Sequence, residues 1–136
     1  MAKILLEVIT PDRLLVREEV DMVVAVATEG EFGVLPGHAA LLTLLEIGEA
    51  RYKKDGHIEY MAIAGGIAEV FKDRMTILAE AAELGREIDI DRAKKAKERA
   101  LERLRKRKGV DIARADAALR RAVTRIKVAE KARGAS

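Results

Sequence analysis

The sequence has no cysteine, tryptophan, asparagine or glutamine, only two histidines, and a single serine at its last position. Without cysteine there are no disulfides and no thiolate metal sites, and a reducing compartment suits the chain. The lone Ser136 at the terminus argues against a serine nucleophile. His38 and His57 lack the histidine–carboxylate spacing on a helix that makes a metal site. His38 follows Pro36-Gly37 in a turn and has no nucleophile near it in sequence that it could serve as a base. Gly65-Gly66 is followed by neither a GK[ST] triplet nor a helix, which excludes a phosphate loop. No catalytic residue and no metal centre is legible. No segment approaches the ~20 apolar residues of a membrane span, and the N-terminus lacks a signal-peptide pattern. A soluble or peripheral protein is expected. Aromatics make up 3% of the chain and none follows Phe71, so the C-terminal part must pack on aliphatic and alanine side chains alone. The missing amides, with 36% charged residues, match the composition of thermophilic proteins.

What is present is divided. At 136 residues the chain allows one ordinary domain or two small ones. Residues 1–84 carry a net charge of −7 and residues 85–136 a net charge of +10. An acidic module is thus joined to a basic one, and the partners of the basic module should be acidic, whether protein, nucleotide or lipid headgroup.

The acidic module reads as strands and turns. Residues 4–9 form an apolar run ended by the turn signal Thr10-Pro11-Asp12. Residues 14–16 and 20–28 follow, and in the latter Val20, Met22, Val24 and Val26 alternate with Asp21, Val23 and Ala25, which places one face on a core. Glu29 to Gly33 and Leu35 to His38 are breaks. Further strands are expected at residues 40–45, 48–53 and 57–64, with Asp55-Gly56 supplying hairpin chemistry. Residues 67–71 should pair with 75–79 across Lys72-Asp73-Arg74, after the bend at Gly65-Gly66. Eight or more short strands at this spacing predict an antiparallel sandwich or flattened barrel with a modest core.

The basic module reads as helix. Ala93, Ala96, Ala100 and Leu104 recur at helical spacing until Arg105-Lys106-Arg107-Lys108-Gly109, where cations meet the negative helix end and glycine can cap it. Asp111 can cap a second helix whose Ile112, Ala115, Leu119, Ala122, Ile126 and Ala129 step by three and four. Two antiparallel helices of ~20 residues are predicted. Alanine buries little area, so this hairpin should be marginally stable alone and is a candidate moving part.

The two modules meet at Ile88-Asp89-Ile90-Asp91-Arg92-Ala93. Asp89 is an N-cap candidate and Asp91 complements the positive helix end. Read from chemistry alone, this stretch is a well-capped helix start. Arg92, Arg99 and Arg103 share one face of the first helix, and Arg114, Arg121 and Arg125 form a stripe on the second. Such guanidinium groups can converge on a triphosphate or simply form a solvated basic face.

Several blocks occur in an order that resembles one family. They are Val8-Ile9-Thr10-Pro11-Asp12, Gly30-Glu31-Phe32-Gly33-Val34-Leu35-Pro36-Gly37-His38, Gly65-Gly66 before Glu69-Val70, Thr76-Ile77-Leu78-Ala79, and the Ile88 to Ala93 joint with its helical tail. Over essentially its whole length the chain resembles the epsilon subunits of bacterial F-type ATP synthases. The resemblance implies an α+β chain: a β sandwich of about ten strands (residues 1–84) followed by a two-helix antiparallel hairpin (residues 85–136). It implies a non-catalytic rotor subunit at the foot of the gamma subunit and against the ring of c subunits, with Glu31 and His38 in the loops that contact the rotor. It further implies helices that lie folded on the sandwich or extend into the catalytic head, where their cations meet the beta (and alpha) subunits and restrain ATP hydrolysis. The expected location is the cytoplasmic face of the bacterial cell membrane, reached only through the rotor ring.

In that family the motif Ile/Leu-Asp-x-x-Arg-Ala binds ATP as a regulatory ligand. Ile88, Asp89, Arg92 and Ala93 match it, and the resemblance maps Glu83, Arg99, Arg121 and Arg125 onto further ligand contacts. The motif does not specify whether magnesium accompanies the nucleotide. Carboxylates at the positive end of the first helix disfavour phosphate there, so base and ribose are expected near Glu83 and Asp89, and phosphates near the arginines. A rival of another class is an adaptor that binds nucleic acid through its basic hairpin. It would show a steep salt dependence in a gel shift, and the tail's lack of aromatic stacking platforms and its eight acids argue against it.

Overall fold

A computed structural model describes residues 2–134. Met1, Ala135 and Ser136 lie outside the described residues, and with them the expected outer ends of both modules and the serine considered above as a nucleophile. Eight strands come first: β1 (Ile4–Ile9), β2 (Leu14–Val20), β3 (Met22–Ala27), β4 (Gly30–Val34), β5 (Leu41–Lys54), β6 (His57–Phe71), β7 (Arg74–Ala79) and β8 (Ala82–Leu84). A 3-10 turn at Gly85–Glu87 leads into α1 (Ile90–Lys106) and α2 (Ile112–Ala132).

The strands are hydrogen-bonded in the order β2-β1-β7-β6-β5-β3-β4, with β8 added to β6. They make a sandwich because β5 and β6, 14 and 15 residues long, run through both layers. The second half of β6, residues 66–71, pairs with β7, whereas residues 61–63 pair with β8. The bend falls where the β5–β6 register skips between Leu45↔Gly66 and Ile47↔Ala64. Gly65 and Gly66 sit there at φ 82° and 139°. A Cβ on Gly66 would run into the Leu78 carbonyl oxygen, so only glycine lets β7 pass at this corner. The strands expected at 40–45 and 48–53, and at 57–64 and 67–71, are therefore continuous through one bend, which makes eight strands where about ten were expected.

The hairpins follow turn chemistry. Lys54 pairs with His57 and Phe71 with Arg74, each across two residues at positive φ, Asp55-Gly56 (50° and 82°) and Lys72-Asp73 (47° and 58°). This type I′ geometry matches the right-handed twist of the strands. One pair departs from the antiparallel expectation: β1 runs parallel to β7, Leu6 opposite Met75 and Val8 opposite Ile77.

The core takes Ile4, Leu6 and Val8 from β1, Val23 and Ala25 from β3, Val70 from β6 and Met75 and Ile77 from β7. The face assignment expected for residues 20–28 is corrected in two ways. The strand breaks at Asp21, whose carboxylate accepts from the Asp55 backbone N–H (2.9 Å) and from Lys3. Beyond the break Val23 and Ala25, not Met22, Val24 and Val26, enter the core. Val24 is buried outside that cluster, so β3 is covered on both faces and reads as a continuous apolar run.

The helices begin where the carboxylates cap them. Asp89 accepts from the Arg92 N–H and Asp111 from the Arg114 N–H, each at 3.1 Å. α1 stops at Lys106, before the expected Gly109, because Arg107 turns to φ 55° while its N–H still closes on the Arg103 carbonyl. Lengths of 17 and 21 residues correspond to about 25 and 31 Å. Ala93 and Ala100 of α1 and Ala115, Ala122 and Ala129 of α2 are buried at seven-residue spacings, a seam of small side chains that permits close approach. Ile112, expected in that seam, is exposed. Val128, outside the expected seam, is fully buried, because α2 has a second contact side, against the sandwich.

Candidate functional site

The docking of α2 begins with the face of the sandwich it meets. By register, Arg51 of β5 lies beside Val24 of β3, Glu49 beside Ala62 of β6, and Ala62 beside Glu83 of β8. These residues therefore share the outward face. Alanine leaves that face shallow, and the carboxylates make it acidic. α2 lies along it. Ala62, Ile88, Val128 and Ala129 form a second, small buried cluster, edged by Tyr60 and Ile90. Gly85 lies flush against the helix: a Cβ there would sit 2.7 Å from the Ala132 Cβ and 3.0 Å from the Val128 carbonyl oxygen. At the far end of α2, Arg133 donates to the Ile88 carbonyl (2.8 Å) and to the Ala129 carbonyl (3.1 Å), tying the helix to the joint.

Ion pairs complete the attachment. Arg125 donates Nε–H to Glu83 Oε1 (2.6 Å) and Nη2–H to Oε2 (3.2 Å), a two-pronged pair. Lys131 lies 2.7 Å from Glu49 and Arg120 lies 3.6 Å from Glu46. The opposite charges of the two modules thus neutralise each other in part. The 3-10 turn is braced separately by Arg86, which donates to Glu59 at 2.9 Å. That hydrogen bond holds the Arg86 guanidinium above its ordinary value.

Beneath α2 remains a cleft of about 70 Å³, floored by Ile47, Ala62, Ala64 and Ala82 and rimmed by Glu83, Arg121, Thr124 and Arg125. The structure therefore brings together three of the residues expected at a nucleotide, Glu83, Arg121 and Arg125. The cleft is small beside the ~300–1,000 Å³ of an enclosed ligand site, so a nucleotide seated here would lie largely across its open side. The Glu83–Arg125 pair uses two of the five N–H donors of Arg125, so a phosphate reaching Arg125 would meet the remaining donors beside the carboxylate. Arg121 is exposed and has no ion pair among the described residues.

The joint residues divide by role. Ile88 and Ala93 are buried, the first in the cluster under α2 and the second in the alanine seam. Asp89 is exposed and caps α1 with its side chain. Arg92 and Arg99 lie exposed on α1, and none of these five lines the cleft. Sequence spacing did not point to Glu46, Glu49, Lys131 or Arg133 as parts of the attachment. The ion-pair partners Glu49 and Lys131 lie far apart in the chain, and only the glycine beside the module boundary carried any local signal.

The opposite layer carries another surface. Leu44 of β5 lies beside Ile67 of β6, Ile67 beside Leu78 of β7, and Leu78 beside Ile9 of β1. This row points away from the core, with Leu44 59%, Leu78 52% and Ile67 41% exposed. An unbroken apolar row across four strands is the kind of exposed surface that a partner can cover. The loop holding His38 is fixed close to the β6–β7 turn, since the Gly37 N–H donates to Asp73 (2.7 Å). His38 Nδ1 lies 2.6 Å from the Ala39 carbonyl. Glu31 is exposed on β4, 3.6 Å from Arg51. Among the described residues no cluster of three or more metal-binding side chains occurs, and no helix is long and apolar enough to cross a membrane.

Comparison with known proteins gives consistent matches. The model of the ATP synthase delta/epsilon chain beta-sandwich domain matches residues 3–85, and that of the delta/epsilon chain long alpha-helix domain matches residues 86–130. The ATP synthase epsilon chain of Syntrophobacter fumaroxidans is 53% identical over 130 residues, covering 95% of this chain and 97% of that one. The ATP synthase epsilon chain of Nitratidesulfovibrio vulgaris is 51% identical over 124 residues, covering 90% and 92%. Among solved structures, a chain of the Euglena gracilis mitochondrial ATP synthase, in an OSCP/F1/c-ring assembly, superposes with a TM-score of 0.70 at 26% identity, covering 99% of this chain and 82% of that one.

Proposed function

This chain belongs to the ATP synthase delta/epsilon family, and we propose that it works as a non-catalytic part of the rotor whose helices form a regulated brake on ATP hydrolysis. In this reading residues 1–84 join the gamma subunit and the c-subunit ring. The apolar row from Leu44 to Ile9 supports a protein seat of this kind, and the exposed Glu31 and His38 offer polar contacts to the ring. The protein would then be peripheral, held at the cytoplasmic face of a bacterial cell membrane by the complex. Residues 85–136 would alternate between the docked hairpin and an extended form whose cations reach acidic surface on the beta and alpha subunits.

The observation that carries the regulatory part is the nature of the docking. α2 is held by a four-residue apolar cluster and by ion pairs whose side chains are partly solvated. Such pairs contribute about 0–1 kcal/mol each. A hold of this size is strong enough to populate a docked state and weak enough to release it. ATP across the Glu83–Arg121–Arg125 cleft, with Arg92 and Arg99 on the neighbouring helix, would favour the docked form. A ligand at one hundred times its dissociation constant adds about 2.7 kcal/mol to the state it binds, whereas reversing a 1:99 ratio takes about 5.5 kcal/mol. Nucleotide would therefore tilt the balance and share control with rotor contacts. The test is ATPase activity of the assembled complex with the chain ended after Glu87. Hydrolysis should rise when nucleotide is low. Identical rates with and without the tail at every nucleotide concentration would refute the brake.

A further inference from the structure

A line of four alternating charges joins β4 to α2. Glu49 divides its carboxylate, with Lys131 Nζ 2.7 Å from Oε1 and Arg51 Nη1 3.2 Å from Oε2. The same Arg51 nitrogen lies 3.6 Å from Glu31 Oε2. The strands make this alignment: Arg51 is the register partner of Val24, Glu31 that of Val26, and Val24 and Val26 share a face. Along the sheet the line grows wetter, from Glu49 at 18% through Arg51 at 29% to Glu31 at 58%, while Lys131 at its helix end is 43% exposed. The Glu49–Arg51 link is therefore the driest of the three, while the outer carboxylate is open to a partner.

We propose that the docking of α2 is coupled through Arg51 and Glu49 to Glu31, so that a cationic group of a partner pairing with Glu31 loosens the hairpin. The inference rests on the reading that the hairpin is mobile, and it supplies a route by which contact at the sandwich is felt there. With Glu31 in place the line reads minus, plus, minus, plus, and Arg51 is compensated from both sides. When a partner's cation takes the Glu31 carboxylate, Arg51 is left to Glu49 alone. Glu49 then stands between two cations that repel each other, and Lys131 is the one that can leave, because its side chain is 43% exposed and sits on the helix rather than in the sheet. Because two of the three links are partly solvated, the effect is a shift of about two- to tenfold in the opening of the hairpin.

The absence of cysteine makes the test direct. Val128→Cys places one thiol at a fully buried position beneath α2, where a maleimide reacts only when the helix lifts, at a rate proportional to the open population. Glu31→Gln, which imitates loss of the charge to a partner, should speed labelling about two- to tenfold. Lys131→Met should do so at least as strongly. In an Arg51→Met background Glu31→Gln should have no further effect. An unchanged rate on Glu31→Gln, or the same acceleration without Arg51, overturns the proposal. If the Val128→Cys thiol reacts as fast as one at the exposed Val123, the helix is not docked, and the hairpin reading falls with the proposal. Amide exchange of α2 in chains that keep Val128 should give the same ranking of variants, and a different ranking would also overturn it.

Discussion

Gly85→Ala should separate the fate of the hairpin from that of the sandwich. The added methyl would sit 2.7 Å from the Ala132 Cβ and 3.1 Å from a Val128 methyl, where carbon atoms rest at about 3.5–4.0 Å. α2 must therefore retreat by about 1 Å from the turn. Gly85 is not among the glycines at positive φ, so alanine fits the backbone and slightly favours the fold by restricting the unfolded chain. Overpacking of this kind costs about 1–3 kcal/mol, and all of it falls on the docked state. The docking equilibrium should move about 5- to 150-fold toward release, following 1.4 kcal/mol per decade. Hydrogen exchange read by peptide would show it: residues 112–132 lose protection by that factor while β6 and β7 keep theirs. In the assembled complex the same variant should inhibit hydrolysis more strongly at low nucleotide. Unchanged protection of α2, or equal loss of protection in the sandwich, would refute the view that Gly85 is where the helix is seated.

Asp89→Ala should cost α1 about 1 kcal/mol through its lost cap and also weaken ATP binding, whereas Arg92→Ala should leave the helix intact and weaken ATP binding alone. Calorimetry of the isolated chain decides, and wild-type affinity in Arg92→Ala would remove that arginine from the site. Ile67→Asp should leave the thermal midpoint of the isolated chain nearly unchanged, because the residue is exposed, and should abolish co-purification with the complex. Retention in the complex would mean that the apolar row is not its seat. Lys3→Met tests an ion pair by pH. The hydrogen bond from Lys3 holds the Asp21 carboxyl below its ordinary 3.8, and Asp21 with Asp55 holds Lys3 above its ordinary 10.5. Stability from the depressed acid is present above 3.8 and lost as pH falls through its folded value. Stability from the raised lysine is present below 10.5 and lost as pH rises through its folded value. The denaturant midpoint of wild type should therefore exceed that of Lys3→Met between about pH 4 and 10 and converge with it outside that window, while a constant difference across pH would contradict the assignment.

Local chemistry was legible in the sequence where it acts locally. The apolar run of β1 with its closing turn, the Asp55-Gly56 hairpin and the caps at Asp89 and Asp111 all depend on neighbours within a few residues. Features that depend on two covered faces were not. Val24 and Val23 look alike in sequence, and they are buried on opposite faces of β3, only Val23 within the sandwich core. The continuity of β5 and β6 was hidden for a related reason: Gly65-Gly66 signals a bend, and a bend inside a strand carries the same residues as a loop between strands. At the cleft, the resemblance to a known family brought Glu83, Arg121 and Arg125 forward, and the structure places them on one rim. That Glu83 and Arg125 are joined to each other, and that Glu46 and Glu49 hold Arg120 and Lys131, depends on the angle at which α2 crosses the sheet, which no spacing encodes.

The pairing of α2 with the sandwich acids has a consequence for how ions in solution act on the protein. Arg120, Arg125 and Lys131 already have carboxylate partners when the helix is docked. In the proposed extended form, an acidic surface that receives the helix would replace one set of carboxylates with another. Dissolved salt screens both arrangements, so it weakens each end of the exchange by similar amounts and leaves the balance between them nearly still. The isolated chain has only one end of that exchange, and its helix should loosen steadily as salt is added. On the proposed function, the same three cations would make the free chain sensitive to ionic strength and the assembled one tolerant of it.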